Sequence, residues 1–345
     1  MTDPTSDATT RLARICAVAA LRPRETPERI ESYSNDTWIL DLPTGPAILR
    51  VAWAGDVTRL GREVAVTRNL PSDYPYPELL DSGATVIDDS PLTWMLTRRL
   101  PERPLDEVWP TLTTEQRTAS VDDLAAALTV LHDHAPPADV ATAVCTRPTL
   151  DLGTRDGITG PDVNPFPVAR FTALLPYARA TPFVDPGLVD AAAALVDDLA
   201  GLAPSLDDPH TGVLVHGDVH LANILATAEG RITALLDLEW VRFGPRWFEL
   251  ERLCQQADES ARGGDDTYRR IIERLVDTYP GLTDIDRLGD RLRLVSIGHA
   301  LRHLVVWPPD EPEASLTAAH PVHRLRALVD GSWPADGSLS RNLLG

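Results

Sequence analysis

The chain has 345 residues, 43% hydrophobic and 24% charged, long enough for two domains or one large two-lobed enzyme with ample core. Its formal net charge of −19 repels a phosphate backbone at long range and argues against a nucleic-acid partner. All 32 basic residues are arginine, a bias that fits a GC-rich coding sequence, so any chemistry usually given to lysine falls to another group.

Cys16, Cys145 and Cys254 are odd in number, far apart and form no C-x-x-C. That argues against a disulfide framework or structural zinc and fits a reducing cytoplasm. The polar, acidic start is followed by ICAVAAL between Arg14 and Arg22, too short for a signal segment; it reads as an opening helix. No apolar run approaches ~20 residues, so neither a membrane span nor a membrane partner is expected.

From about Ile30 to Val51, SNDTWILDL and AILRVAW flank PTGP and predict a β-hairpin. TRLGREVAVTRNLP spaces its apolar residues as a helix does and stops at Pro71. LLDSGATVIDDSPLTWMLTRRLP predicts further strands around a polar turn, which makes the first hundred residues a small sheet with one helix laid on it. TTEQRTASVDDLAAALTVLHDHAPP predicts an amphipathic helix, opened by a Thr cap with Glu115 nearby and closed by Pro136 and Pro137. Residues 136–186 are rich in Pro, Gly and Asp and read as an irregular insertion with a short helix near VARFTALLPYA. GLVDAAAALVDDLAGLAP is helical, and short apolar runs then alternate with turns through an AEGR hairpin. Four more helices follow, around WFELERLCQQA, DDTYRRIIERLVDTYP, DIDRLGDRLRLVSIGHALRHLVVW and HPVHRLRALVD.

The chemistry concentrates in VLVHGDVHLANILATAEGRITALLDLEW. Asp218 sits in a loop just after a buried strand, where a carboxylate can orient an attacking hydroxyl and accept its proton. Asn223 and the strand-terminal Asp237 offer oxygen to a hard cation such as Mg²⁺, whose shell a polyphosphate completes. Base, metal asparagine and metal aspartate, in that order, form the arrangement of phosphoryl transfer. The bland alternative, carboxylates solvating loop ends, leaves the burial of the flanking strands unexplained.

With these residues the chain resembles the aminoglycoside phosphotransferase family, whose members share the protein-kinase-like fold. His216, Asp218 and Asn223 match its catalytic loop, and Asp237 matches its metal aspartate. SNDTWILDLPTGPAILRV resembles its nucleotide-covering hairpin, GREVAVTRNL its first helix, and AALTVLHDHAP the helix that ends in Leu-His. The likeness spans about residues 30 to 305. It implies an α+β, two-lobed fold: a β-rich N-lobe over 1–95, a hinge at 96–101 and a mainly helical C-lobe over 102–345. It also implies ATP- or GTP-dependent phosphorylation of a hydroxyl on a small molecule, with Mg²⁺. Inactivation of an antibiotic or related natural product is the favoured role.

The resemblance places Arg50 where most kinases carry a phosphate-contacting lysine, with Glu63 as its ion-pair partner. There is no G-x-G-x-x-G, and Ser34 and Asn35 stand as side-chain donors in its place. Leu96 to Arg98, in LTRRLP, fall at the hinge whose backbone would hold adenine. DLEW replaces D-F-G and no A-P-E follows, which argues against an activation loop controlled by phosphorylation. Glu239 is set either near the metal or on nearby backbone, and His216 braces the loop rather than taking a proton.

His299 and His303 lie one turn apart, but without an H-E-x-x-H they read as a packed face. Trp53, Trp94 and Trp240 read as core. Glu249, Glu251, Asp258, Glu259, Asp265 and Asp266 are acidic candidates for the substrate cleft, or else a solvated surface. Two rival functions stand beside the favoured one: a metabolic kinase for choline, homoserine or a sugar, and a pseudokinase scaffold disabled by Arg50. The intact Asp218, Asn223 and Asp237 argue against the scaffold.

Overall fold

The computed structural model describes residues 4–32, 35–53, 56–87, 90–160, 164, 166–317 and 320–333. Ser34, one of the two expected phosphate-loop donors, lies outside the described residues. Helix α1 (Pro4–Val18) precedes a five-stranded antiparallel sheet of β1 (Glu28–Ile30), β2 (Asn35–Leu42), β3 (Gly45–Ala52), β4 (Leu79–Ile87) and β5 (Ser90–Arg98). The strand order is β1-β2-β3-β5-β4, with α2 (Arg59–Thr67) inserted between β3 and β4.

Side chains alternate across a strand, and that parity decides what the sheet offers to each face. Trp38, Leu40, Leu49, Val51, Trp94 and Leu96 share one core with Ala8, Leu12 and Ile15 of α1. Residues of the other parity, Thr37, Ile39, Ile48, Arg50 and Thr97, line a cleft on the opposite face. There Leu60 and Val64 of α2 pack with Ala52 and Met95. Leu96, expected at the adenine hinge, is therefore turned away from the cleft and is 3% exposed. Trp53, expected in the core, is 41% exposed, and the Arg11 guanidinium lies 4.3 Å over its ring.

The chain leaves the sheet through β6 (Arg103–Pro104), α3 (Leu105–Val108) and α4 (Thr114–Asp133). The capping box of α4 joins Thr113 to Gln116 rather than to Glu115: Gln116 N–H donates to Thr113 Oγ1 at 3.3 Å and Thr113 N–H to Gln116 Oε1 at 2.8 Å. The span read as irregular holds the helix expected at VARFTALLPYA, α7 (Val168–Ala180), and two that were not expected, α5 (Ala138–Cys145) and α6 (Arg155–Thr159). Pro137, taken as a stop for α4, is also the residue that opens α5. A proline there lacks only an N–H that a helix start does not use.

Beyond α8 (Pro186–Leu199) come β7 (Val213–Val215), β8 (Ile224–Ala226), β9 (Ile232–Leu235) and β10 (Arg242–Gly244). They form a three-stranded sheet, β6-β8-β9, and a β10-β7 pair, both antiparallel. Helices α9 (Glu249–Arg262), α10 (Thr267–Thr278), α11 (Leu288–Val306) and α12 (Pro321–Asp330) complete the large lobe. Its core joins Leu128, Phe171, Val189, Leu275, Leu301 and Leu325, all fully buried. Among the described residues no helix is long and apolar enough to cross a membrane, and all three cysteines are free.

Candidate active site

The buried strand β7 ends in a turn that only glycine accepts. Gly217 has φ +79°, and a Cβ there would come within 2.9 Å of Trp240 O. His216 is fully buried: its Nε2 lies 2.9 Å from Leu236 O, while its Nδ1 accepts the Asp218 N–H at 3.3 Å. One tautomer, with the proton on Nε2, satisfies both contacts. The ring thus stitches the start of the loop to its end.

Glu249 anchors the same loop from below. Its carboxylate accepts the His216 N–H and, at 3.1 Å, the Gly217 N–H, and it lies 3.2 Å from His132 Nε2. Burial alone would push this carboxyl up, but the hydrogen bond and charge of His132, with His216, hold it below the usual range. Glu249 was expected at the substrate cleft; at 1% exposure it supports the loop that carries Asp218 instead. The apolar stripe Leu250, Leu253, Cys254 and Ala257 marks the inward face of α9, and Glu249 is drawn in beside it at the helix start.

Asp218 emerges from this brace partly exposed. Arg252 Nε, from α9, lies 3.0 Å from its Oδ1, and His220 Nε2 lies 3.7 Å from its Oδ2. Burial raises its pKa, yet the nearby His220 and the Arg252 charge outweigh that and hold the group below the usual aspartate range. Asn223 donates its Nδ2–H to Asp218 O at 3.0 Å, which leaves the amide oxygen as the group available to a cation.

Across the first cleft, of about 390 Å³, Arg50 gathers three carboxylates. Its Nη1 donates to both Glu63 oxygens at 2.8 Å, and its Nη2 donates to Asp237 Oδ1 at 2.9 Å and to Glu239. Burial opposes the charge on Arg50, but Glu63, Glu239 and Asp237 outweigh it and raise its pKa well above the usual value. Glu63 also takes the Tyr76 hydroxyl at 2.6 Å and the Leu238 N–H at 3.1 Å, tying α2 to the segment after Asp237. Asp237 itself stands at φ 68°, a left-handed conformation that aspartate tolerates.

Glu239 is settled between Arg50 and Arg59, whose Nε lies 2.7 Å away, and it also accepts from Asn35 Nδ2. Burial and the charge of Asp237 push its carboxyl up to about 7 against the pull of both arginines. Asn35, expected to donate to phosphate, is thus committed to Glu239 and Arg59. Arg98 lines the cleft, but its guanidinium pairs with Glu78 at 2.7 Å and its N–H is used by Glu78 O. The oxygen donors on the cleft wall suit a hard cation: Asn223 and Asp237 both line it, and Glu63, Asp237 and Glu239 have oxygens within 4.8 Å of one another.

A second cleft, of about 320 Å³, has Asp218 in its wall together with Trp240, Glu251, Arg252, His299 and Trp307. Of the six acidic candidates only Glu251 reaches it. Asp258 is buried against Arg262 and Arg324, Glu259 pairs with Arg324, and Asp265 and Asp266 line a separate groove with Arg270 and Arg274. Trp240, expected in the core, is only partly buried and forms part of the wall, whereas Trp94 is buried. The acidic partner that the histidines lacked in sequence comes from α9: Glu251 Oε2 lies 3.5 Å from His299 Nε2. One such pair is too few for a metal site. Arg59, Tyr76, Arg252 and Trp307 carry no local motif and were not foreseen.

A small antiparallel sheet over a helical lobe, with Asp218 in the wall of one cleft and the oxygen donors Asn223 and Asp237 in the wall of the other, defines a two-lobed phosphotransferase of the protein-kinase-like class. The chain belongs to the phosphotransferase enzyme family (APH), whose model matches residues 26–285. No curated protein matches it. Among solved structures it is similar to the aminoglycoside phosphotransferase APH(4)-Ia, at 19% identity over 94% of this chain and 98% of that one, with a TM-score of 0.59. It is also similar to the GDP complex of aminoglycoside 2′-phosphotransferase-IIIa, at 14% identity over 94% and 99% of the two chains, TM-score 0.63. A microcompartment-associated aminopropanol kinase shares the fold as well, at 16% identity over 95% and 98%, TM-score 0.55. The enzyme is a small-molecule kinase that phosphorylates an alcohol group.

Proposed function

We propose that the chain transfers the terminal phosphoryl group of ATP or GTP to a hydroxyl of an antibiotic or related natural product. One observation carries the reading: the two clefts meet at a hydrogen-bonded pair, Asn223 in the wall of one and Asp218 in the wall of the other. A nucleotide in the first and an alcohol in the second would face each other across that pair. Asp218, ionised and held by Arg252, orients the hydroxyl and takes its proton as the new O–P bond forms. The bond from the terminal phosphorus to the bridging oxygen breaks, and its electron pair leaves on the nucleoside diphosphate.

Asn223 and Asp237 would hold Mg²⁺, which when bound neutralises charge on the phosphate oxygens. Arg50 supplies a permanent positive charge at the same wall, and Glu63 fixes its direction through two hydrogen bonds. With Leu96 buried and the Arg98 and Arg99 N–H groups committed to Glu78 O and Pro46 O, a purine would be read one residue later, from Leu100. On this reading the hinge expected at 96–101 would fall within 99–102, the segment between β5 and β6. The free cysteines suit a reducing cytoplasm.

A metabolic kinase for a small alcohol is the second reading, favoured by the likeness to the aminopropanol kinase. The two are separated by incubating the chain with Mg²⁺ and ATP or GTP across antibiotic alcohols and metabolite alcohols, with phosphoryl addition read by mass. Efficient transfer to metabolite alcohols alone rejects the antibiotic role. Binding of Mg²⁺-nucleotide without transfer to any hydroxyl points to the scaffold.

A further inference from the structure

The cleft beside Asp218 has a charge balance unlike the acidic surface of the chain as a whole. Among the described residues its walls carry three guanidinium groups, Arg242, Arg252 and Arg302, against two carboxylates, Asp218 and Glu251; Arg242 is shared with Asp207, 3.6 Å away outside the cleft wall, which leaves Arg252 and Arg302 as the charges that offset the two carboxylates. Neither carboxylate is spare. Asp218 is paired with Arg252 at 3.0 Å and, on the reading above, must meet the acceptor hydroxyl. Glu251 is 4% exposed, accepts from Gln255 and faces His299. An ammonium group entering this cleft would lose its water beside arginines and gain no free carboxylate.

The remaining wall is aromatic. His299, His303 and Trp307 lie four residues apart on α11 and at its end, so they share one face. Their rings form a ladder, with centroids 6.1 Å and then 5.0 Å apart. Burial and the charges of His299 and the nearby arginines push His303 down to about 2, so this rung is an uncharged ring at neutral pH. Trp307, at the rim, leaves a large ring 58% exposed. An exposed indole bordering a cleft is a surface ready for a flat partner.

We propose that the acceptor is an uncharged or anionic alcohol with a flat, aromatic or apolar face that lies against Trp307, and that ammonium-bearing alcohols are disfavoured. This rests on the reading of Asp218 as the acceptor-side base, and names the substrate class for that site. A polycationic acceptor of the kind that the family name suggests is the alternative that the wall opposes.

The test uses three matched probes: 4-nitrophenyl, 4-carboxyphenyl and 4-(aminomethyl)phenyl β-glucoside, which are neutral, anionic and cationic. Their binding to the full chain with Mg²⁺ and a non-hydrolysable ATP analogue is measured by calorimetry, and transfer from ATP is measured separately by mass. The expected result is binding of the neutral and anionic probes at least about tenfold tighter than the cationic one, the order of one charge contact. Trp307→Ala should weaken the neutral probe about fivefold, the order of one aromatic contact, and Trp307→Phe should restore most of it. Equal or tighter binding of the aminomethyl probe, binding of none of the three, or an unchanged affinity in Trp307→Ala overturns the proposal. Transfer to kanamycin in preference to the neutral probe overturns it too, while leaving the phosphotransferase reading intact. Selective binding of the neutral probe without transfer to any hydroxyl would instead reject Asp218 as an acceptor-side base and leave the charge preference standing.

Discussion

Arg252 Nε and Asp218 Oδ1 are 3.0 Å apart, so the carboxylate proposed to receive the proton is held by a guanidinium from a helix over thirty residues further along the chain. Asp218→Asn keeps the shape but removes the base, and turnover should fall by ~10²–10⁴-fold, the usual scale of general-base loss. Mg²⁺-nucleotide binding should change little, because Asp218 is not assigned to the metal. Arg252→Gln should give a smaller loss of turnover. Steady-state kinetics beside calorimetry checks both, and near-normal turnover in Asp218→Asn would remove its role.

Asp237→Ala should weaken Mg²⁺-nucleotide binding as well as turnover, since this carboxylate would hold the cation that neutralises phosphate charge. Asn223→Ala should act in the same direction but more mildly. Calorimetric titration with and without Mg²⁺ separates the metal-dependent part. Unchanged Mg²⁺-nucleotide affinity in Asp237→Ala would rule out the assignment.

Arg50→Ala should lower both nucleotide affinity and thermal stability. Its removal strands Glu63, Asp237 and Glu239 beside one another, and breaking a buried pair on one side costs about 3–5 kcal/mol. Arg50→Lys should recover only part of either property, because one ammonium cannot span three carboxylates as the planar fork does. Thermal melts and nucleotide titration of the two variants make the comparison, and a fully active Arg50→Ala would reduce the arginine to a bystander.

Glu249 yields a stability prediction with a defined direction in pH. Its carboxyl is held below the usual glutamate range, so its contribution is present above the unfolded value and is lost as pH falls through the lower, folded one. Glu249→Gln should therefore be less stable than the parent at pH 7, by about 1–3 kcal/mol for weakened buried hydrogen bonds. The gap should stay level down to about pH 5 and close only below the ordinary glutamate value. Denaturant melts of both proteins across that range decide it, and a gap that narrows between pH 7 and 6 would point to another group.

The candidate catalytic loop was legible in the sequence because its chemistry is local. His216, Asp218 and Asn223 lie within eight residues between two apolar runs, and Asp237 closes the next strand. Arg50 and Glu63 were legible through the strand and helix that carry them. The acceptor wall was not, because α9 and α11 meet there only in three dimensions and no short spacing links Glu251 to His299. Glu249 and Leu96 were misplaced for a related reason: composition says that a residue belongs to a helix or strand, while packing decides which face it takes. Of the helices in 136–186, α7 was legible, while α5 and α6 were hidden because Pro and Gly at helix ends read as coil when the stretches between them are only five to eight residues long.

The guanidinium seated on Glu63, Asp237 and Glu239 has a practical consequence for chemical labelling. Nucleotide probes that carry an acylating group are built to capture a lysine beside the phosphates, and no side chain in this protein offers a primary amine. Such reagents would pass over this kinase in a mixture of others. Dicarbonyl reagents, which condense with guanidinium groups, are the matching choice, and protection of Arg50 by bound Mg²⁺-nucleotide would report occupancy of the cleft directly.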